Sequence, residues 1–144
     1  MNTIPGKMPI VAQNIAQFGQ HVFAVFGDHD EPGFAYTIGN ANRQLPELLL
    51  IGNFTYKTVL SVLNELGERM REQNCPLEGD IGLGGKFPVR IRPTTEHVRA
   101  FWTLQVGQYL GHERYDVLQV LFCDPQGRYP GEPGCDPDYN VPFA

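Results

Sequence analysis

Three short segments of this sequence are apolar at almost every position, and they constrain the fold more than any other feature. They cover residues 21–26, 47–51 and 117–122. A strand whose side chains are apolar in both directions is typical of the interior of a sheet, because both of its faces must be covered. The sequence therefore predicts a sheet with buried central strands.

The first half of the chain connects these segments through turns and one long helix. Turn-forming residues at 27–33 lead into a strand at 34–38, which predicts a hairpin. Asn53 is expected to cap a helix over residues 54–72, whose apolar side chains recur at helical spacing. Residues 9–18 carry a looser helical pattern.

The second half contains one alternating strand, a second helix and an irregular tail. A Gly-rich turn at residues 79–85 precedes the strand at 87–91, and Pro88 favours a sheet edge or a strand start. Residues 95–110 are predicted to be helical. After a turn that begins at Asp124, four prolines exclude regular structure, so the tail is expected to lie across the body as a loop.

These elements together predict one α+β domain of 144 residues. Its sheet is expected to be mixed and mostly antiparallel, with two or three helices and an irregular Pro/Gly-rich C-terminal segment.

Composition excludes several classes of protein. The net charge of -5 argues against general nucleic-acid binding. No run of eighteen apolar residues predicts a membrane span, and residues 1–7 lack the apolar run of a signal peptide. The three cysteines show no CxxC spacing, which favours free thiols in a reducing, cytoplasmic environment over disulfides or a zinc site.

Several short strings occur together in a known family. They are Gly19 with residues 32–39 (PGFAYTIG), 45–48 (LPEL), 117–120 (VLQV) and 124–134 (DPQGRYPGEPG). The set resembles the bacterial and phage family of unknown function numbered 4262, over roughly residues 14–143. This resemblance implies a bacterial or phage setting but no activity. The chain departs from the family's pattern at Gln20, where members tend to have Trp, and at Leu45, where they often have His.

Metal binding and catalysis have little support in the sequence. Residues 28–31 (DHDE) are a run of metal-ligand types in a tight turn, where four consecutive side chains cannot all face one ion. We expect no metal and no cofactor. The remaining catalytic arrangement is a carboxylate pair, Glu47 and Asp124, with His21 nearby, although helix caps and turns also explain both acids.

Gln119 is a polar residue in an otherwise apolar strand. A buried amide without partners costs about 1–3 kcal/mol, so Gln119 is expected to hydrogen-bond with Tyr36 or Thr37 on the hairpin. Such a group either holds the core together or orients a ligand in a pocket.

Lys86, Arg90 and Arg92 form the sharpest electrostatic feature of the sequence. Strand alternation places all three on one side, opposite the apolar side chains of the same strand. Without neighbouring acids these cations repel one another, and a bound anion would relieve the repulsion. A solvated edge strand is the alternative interpretation.

The sequence favours a non-catalytic binding domain for a small anionic, nucleotide-like molecule. A protein-interaction or inhibitor module that uses the tail is the alternative, and a hydrolase that uses carboxylates is the third. A homo-oligomer is compatible with each. The expected ligand-binding residues are Tyr36, Thr37, Lys86, Arg90, Arg92 and Gln119, and the further candidates are His21, Glu47 and Asp124.

Overall fold

The computed structural model describes residues 8–144 of the chain, with side chains from Pro9 onward. Residues 1–7, on which the expectation of no signal peptide rests, lie outside the described residues. The elements in chain order are α1 (Met8–Phe18), β1 (His21–Val25), β2 (Phe34–Ile38), a short 3-10 helix (Asn40–Arg43), β3 (Glu47–Ile51), α2 (Tyr56–Gln73), β4 (Gly79–Ile81), β5 (Val89–Pro93), α3 (Val98–Phe101), α4 (Leu104–Leu110) and β6 (Val117–Leu121).

The six strands form one mixed sheet in the order β1-β2-β3-β6-β5-β4. The central pair, β3 and β6, is parallel, with Glu47 opposite Val117 and Leu49 opposite Gln119. All other neighbouring strands are antiparallel. The predicted α+β fold with a mixed, mostly antiparallel sheet is therefore confirmed.

Helices cover both faces of the sheet, which explains why the central strands are apolar in both directions. Leu48 and Leu50 pack toward α2, whose buried stripe includes Leu63 and Leu66. Leu49 of the same strand points the other way, into a second apolar cluster built with residues of α1, α3 and α4. Burial of both faces removes apolar surface from water, and this stabilises the fold by roughly 25 cal/mol for each Å² buried.

Two predicted details of the second half differ from the structure. Residues 79–81 form strand β4 rather than part of a turn, because they pair with β5 and Asp80 lies opposite Arg90. β4 therefore forms the sheet edge, and Pro88 takes the other predicted place, directly before β5 begins at Val89. The helix predicted over residues 95–110 is divided into α3 and α4 around Thr103, a buried residue whose hydroxyl lies 2.9 Å from the hydroxyl of Tyr115.

The tail after β6 contains turns but neither helix nor strand. No helix within residues 8–144 has the length and apolar character needed to cross a membrane.

Candidate functional site: a crevice at the ends of two parallel strands

The parallel strands β3 and β6 end side by side, and a crevice of about 790 Å³ opens beyond them. The connection from β3 to α2 forms one wall, and the bend before β5 and the segment after β6 form the others. In sheets with parallel strands, ligands bind preferentially outside the carboxyl ends of those strands. The position of this crevice makes it the first candidate for a binding site.

The N-terminus of α2 faces this crevice. Its N-cap residue, Thr55, has an extended backbone but makes no side-chain hydrogen bond to the helix. The Thr55 hydroxyl instead lies 2.8 Å from the hydroxyl of Thr58, and both threonines line the crevice. No acidic residue occupies the first turn. Within the described part of the chain, the first backbone N–H groups of this 18-residue helix, at the positive end of its dipole, have no side-chain acceptor.

The prediction that Asn53 caps this helix is wrong. The Asn53 side chain turns back toward the hairpin and accepts a 2.6 Å hydrogen bond from the N–H of Gly33. This contact ties the β3–α2 connection to β2, and the helix begins two residues later than a cap at Asn53 implies.

Lys86 contributes a positive charge to the opposite wall of the crevice. It is exposed and lies in the bend that precedes β5, with its ammonium group 5.3 Å from the ring centre of Phe87. Among residues 8–144, no carboxylate lies within 4.0 Å of it. An anion in the crevice would therefore meet a cation that the protein has not already neutralised.

Aromatic side chains form the apolar part of the crevice. The ring of Phe54 packs against Phe122 at 4.8 Å and against Tyr139 of the tail at 5.5 Å. Phe87 adds a partly exposed ring at the rim. Cys123 also lines the crevice, and burial raises the pKa of its thiol, which favours the neutral form.

Asp124 lines the same crevice, but its carboxylate is occupied by its own loop. It accepts hydrogen bonds from the backbone N–H groups of Gln126, Arg128 and Asp136, each at 2.9 Å, and from the Arg128 guanidinium at 3.2 Å. Burial alone would raise the pKa of Asp124, but these hydrogen bonds lower it to about 2. Asp124 therefore holds the turn that follows β6.

The predicted row of three unpaired cations is wrong at Arg90, which has an acidic neighbour. Arg90 forms an ion pair with Asp80, Nε to Oδ1 at 2.9 Å, and its guanidinium lies 3.8 Å from the ring centre of Tyr129. Arg92 lies under the tail, 4.0 Å from the ring centre of Phe143. Of the three residues, only Lys86 lines the crevice.

Gln119 is fully buried and hydrogen-bonded, as predicted, but its partners are different. Its amide nitrogen donates to the carbonyl of Pro142, and its carbonyl accepts from the N–H of Ala144, both at 2.9 Å. Gln119 thus fixes the tail against β6. The predicted partners have other roles, since the Tyr36 hydroxyl accepts from the N–H of Gln105 and Thr37 bonds to Glu47.

Glu47 is a fully buried carboxylate at the start of β3. Its oxygens accept hydrogen bonds from the Thr37 hydroxyl at 2.8 Å and from the N–H groups of Gly39, Asn40 and Ala41 at 2.9–3.2 Å. Burial raises the pKa of Glu47 to about 7, although these hydrogen bonds oppose the rise. Glu47 therefore anchors the loop between β2 and β3.

The structure does not bring Glu47 and Asp124 together. Glu47 lies opposite Val117, at the start of the parallel pair, and Asp124 follows its far end. Seven residues of extended chain span roughly 23 Å. His21 lies on β1, where its ring nitrogen is 2.9 Å from the amide of Asn14, and burial lowers its pKa.

A polar network lies beside Glu47, and no pattern in the sequence predicts it. The Arg71 guanidinium donates to the side-chain oxygens of Gln20 and Asn40, at 2.8 and 2.7 Å, and Asn40 also donates to Gln20. Gly67 of α2 lies directly against the Gln20 carboxamide, so that a Cβ at this position would collide with it. The network explains a glycine inside a helix and a buried Gln at position 20.

The sequence signal for the crevice was incomplete. The sequence singles out Lys86 and Asp124, but not Phe54, Thr55 and Thr58, because the importance of these three depends on where α2 begins.

The hairpin cluster Asp28, His29 and Asp30 has ligand atoms within 4.8 Å of one another, but all three residues are exposed. The Asp28 carboxylate accepts the N–H groups of Asp30 and Glu31, as in an ordinary turn.

The fold and site define an α+β domain with a six-stranded mixed sheet and an open crevice at its parallel strand ends. The chain belongs to the family described as Domain of unknown function (DUF4262), whose model matches residues 14–136. The match ends before the last residues of the tail. Searches of curated proteins and of solved structures found no match for the chain.

Proposed function

We propose that this protein is a non-catalytic binding domain for a small anionic molecule, with a nucleotide-like ligand as the best fit. One observation carries the proposal: the open N-terminus of α2 and the unpaired Lys86 face the same crevice. Backbone N–H groups at a helix N-terminus bind phosphate and carboxylate groups, and a nearby lysine adds charge.

The apolar wall of the crevice supports a ligand with an aromatic part. Phe54, Phe87 and Tyr139 line the crevice together with the polar groups and offer ring surface on which a base would stack. The volume of about 790 Å³ lies within the roughly 300–1,000 Å³ typical of small-molecule sites.

The chemistry of the crevice supports binding rather than catalysis. The Cys123 thiol has a raised pKa, and the Asp124 carboxylate is engaged by four donors of its own loop. Neither group is prepared to act as a nucleophile or a base at neutral pH.

We also propose a bacterial or phage cytoplasmic setting. The free cysteines Cys75, Cys123 and Cys135 support a reducing compartment. The bacterial or phage origin rests on the sequence resemblance described above alone.

Calorimetric titration with phosphate, pyrophosphate, nucleotides and cyclic dinucleotides tests the proposal. Lys86→Glu should weaken binding by about tenfold or more, because a charge-assisted hydrogen bond contributes roughly 1.5–3 kcal/mol. Arg114→Glu makes the same charge change at an exposed position before β6, at the other end of the sheet, and should leave the affinity unchanged.

Thr58 provides a second test with effects of opposite sign. Thr58→Glu places a carboxylate in the first turn of α2, where it should stabilise the fold by about 0.3–1 kcal/mol through the helix dipole. The same carboxylate should exclude an anionic ligand, whereas the neutral Thr58→Gln should retain binding. Equal affinities for the Glu and Gln variants, or binding that Lys86→Glu leaves intact, would contradict the proposed site.

A further inference from the structure

A groove of about 460 Å³ runs along one side of α2, and the end of α1 and the start of β1 form its other side. On α2 it is lined by residues at intervals of four, Tyr56, Leu60, Asn64 and Glu68, and then by Arg71. Residues at this spacing share one face of a helix, and the stripe from Tyr56 to Arg71 is about 22 Å long. Among the described residues, the groove and the crevice at the N-terminus of α2 have none in common.

The α2 side of the groove is apolar at one end and charged at the other. The stripe begins with Tyr56 and Leu60, and Val22 of β1 lies at the same end, since Val22 and Tyr56 also line an adjoining hollow of about 310 Å³. The stripe ends with Glu68 and Arg71. This arrangement suits a molecule that has an apolar part and a charged part.

Arg71 is a cation that neutral groups hold in place. Its Nη1 donates to Gln20 and Asn40, as described above, and its Nη2 donates to the carbonyl of Phe18 at 3.2 Å. Among residues 8–144, no carboxylate lies within 4.0 Å of the guanidinium. The protein therefore fixes the orientation of this charge without neutralising it, which is the condition under which an arginine receives a carboxylate ligand.

Glu68 supplies a negative charge one helical turn from Arg71. Residues three positions apart on a helix have Cβ atoms about 5–6 Å apart. Burial and the nearby Arg43 lower the pKa of Arg71, and the Glu68 carboxylate opposes this shift, so the two groups are close enough to interact. They nevertheless form no ion pair within 4.0 Å of one another. Two opposite charges that face one groove and stay apart match an ammonium and a carboxylate carried on the same carbon atom.

The groups between these ends carry no charge. The Asn14 amide nitrogen lies 2.9 Å from Nδ1 of His21. Because an NH₂ group only donates, Nδ1 accepts, and the neutral ring carries its proton on Nε2. Burial lowers the pKa of His21, which favours this neutral form. The described lining of the groove thus has one carboxylate and one guanidinium, and this balance favours a zwitterion over a molecule with net charge.

We propose that this groove binds a free α-amino acid with an apolar or aromatic side chain, at a second ligand site that does not depend on the crevice. Arg71 receives the carboxylate and Glu68 the ammonium. The side chain of the ligand lies along Leu60 toward Tyr56. The volume of about 460 Å³ is within the roughly 300–1,000 Å³ of small-molecule sites.

An NMR titration of the full chain with L-phenylalanine and L-leucine tests the proposal. Both should produce saturable shifts in the amides of residues 18–22 and 64–71, with a Kd below about 1 mM. Two analogues separate the charges, since 3-phenylpropionate lacks only the ammonium of phenylalanine and phenethylamine lacks only its carboxylate. Each should bind about tenfold or more weakly than phenylalanine, because a hydrogen bond between charged groups is lost.

Glu68→Gln distinguishes recognition of the ammonium from a structural role. It should weaken phenylalanine binding by about tenfold or more and leave the affinity for 3-phenylpropionate unchanged, since only phenylalanine has an ammonium. Glu65→Gln is the matched control, because Glu65 lies on another face of α2, where it pairs with Arg69 at 3.4 Å. It should leave both affinities unchanged.

The same titration separates this site from the crevice. Lys86→Glu should leave phenylalanine binding intact, and pyrophosphate should not compete with phenylalanine. Competition by pyrophosphate, or loss of phenylalanine binding in Lys86→Glu, would place the amino acid in the crevice and overturn the second site.

Three other results would also overturn the proposal. The first is the absence of saturable binding below about 1 mM for both amino acids. The second is equal affinity of the wild type for phenylalanine and 3-phenylpropionate. The third is an equal loss of both ligands in Glu68→Gln, which would assign Glu68 a structural role.

Discussion

Replacing Glu47 by Gln tests whether a buried carboxylate holds the loop between β2 and β3. Each oxygen of Glu47 accepts two hydrogen bonds, so an amide in either orientation turns two donors toward its NH₂ group. An unpaired buried donor costs about 1–3 kcal/mol, and we therefore expect Glu47→Gln to lose about 2 kcal/mol or more at acidic pH.

The raised pKa of Glu47 sets the direction in which the stability of the wild type changes with pH. Burial raises the pKa of Glu47 from 4.5 to about 7 in the folded protein. Because the folded-state pKa is the higher one, the stability linked to this group is fully present below pH 4.5 and is lost as the pH rises through 7. With about 1.4 kcal/mol per pKa unit, the loss is about 3 kcal/mol. The amide does not titrate, so the stability of the wild type relative to Glu47→Gln should fall by about this amount between acidic and mildly alkaline pH, which is enough to reverse an initial difference of about 2 kcal/mol.

Urea unfolding across this pH range provides the assay. Trp102 is the single tryptophan, and it packs edge-on against Phe34 at 5.1 Å, so its fluorescence reports loss of the core. Glu113→Gln, at an exposed position, is the matched control and should leave stability nearly unchanged at every pH. A difference between wild type and Glu47→Gln that is constant with pH would refute the reasoning.

Two further substitutions test the buried contacts. Gln119→Leu should lower the free energy of unfolding, measured with urea, by about 1–3 kcal/mol, because its two backbone partners lose their hydrogen bonds. The tail should also become more sensitive to protease. Normal protease resistance of the tail would contradict this role. Gly67→Ala should destabilise the protein although Ala favours helices, since its Cβ would collide with Gln20, whereas Gly107→Ala meets only ordinary contacts and should be neutral or stabilising. Equal effects of the two substitutions would contradict the close packing at Gly67.

The sequence predicted the elements that carry a strong hydrophobic pattern. Residues 47–51 are apolar on both faces after their first position, and residues 117–122 are apolar except at Gln119, so both were recognised as buried strands. β4 was missed because Gly79 and Asp80 have low strand propensity, and only their pairing with β5 makes a strand of them. The break between α3 and α4 lies at Thr103, whose hydroxyl bonds to the hydroxyl of Tyr115. The two residues are 12 positions apart in the sequence, so no local pattern predicts this contact.

The candidate site was only partly predictable for a similar reason. Lys86 is conspicuous in a sequence, but its freedom from acids and the pairing of Arg90 with Asp80 are facts of three-dimensional arrangement. The open N-terminus of α2 could not be inferred, because Asn53 looks like a cap and in fact bonds to Gly33. Local patterns indicate which residues are polar, but the sheet order decides which of them meet.

The central claim is that an anion binds where the N-terminus of α2 and Lys86 meet. An NMR titration that resolves individual backbone amides, with pyrophosphate and a nucleoside triphosphate as probes, tests it most directly. The account predicts saturable shifts in the amides of residues 55–58, 86 and 87, smaller ones near Cys123, and their loss in Thr58→Glu. Shifts centred on Arg90 and Arg92, or no saturable shift at these amides, would contradict it.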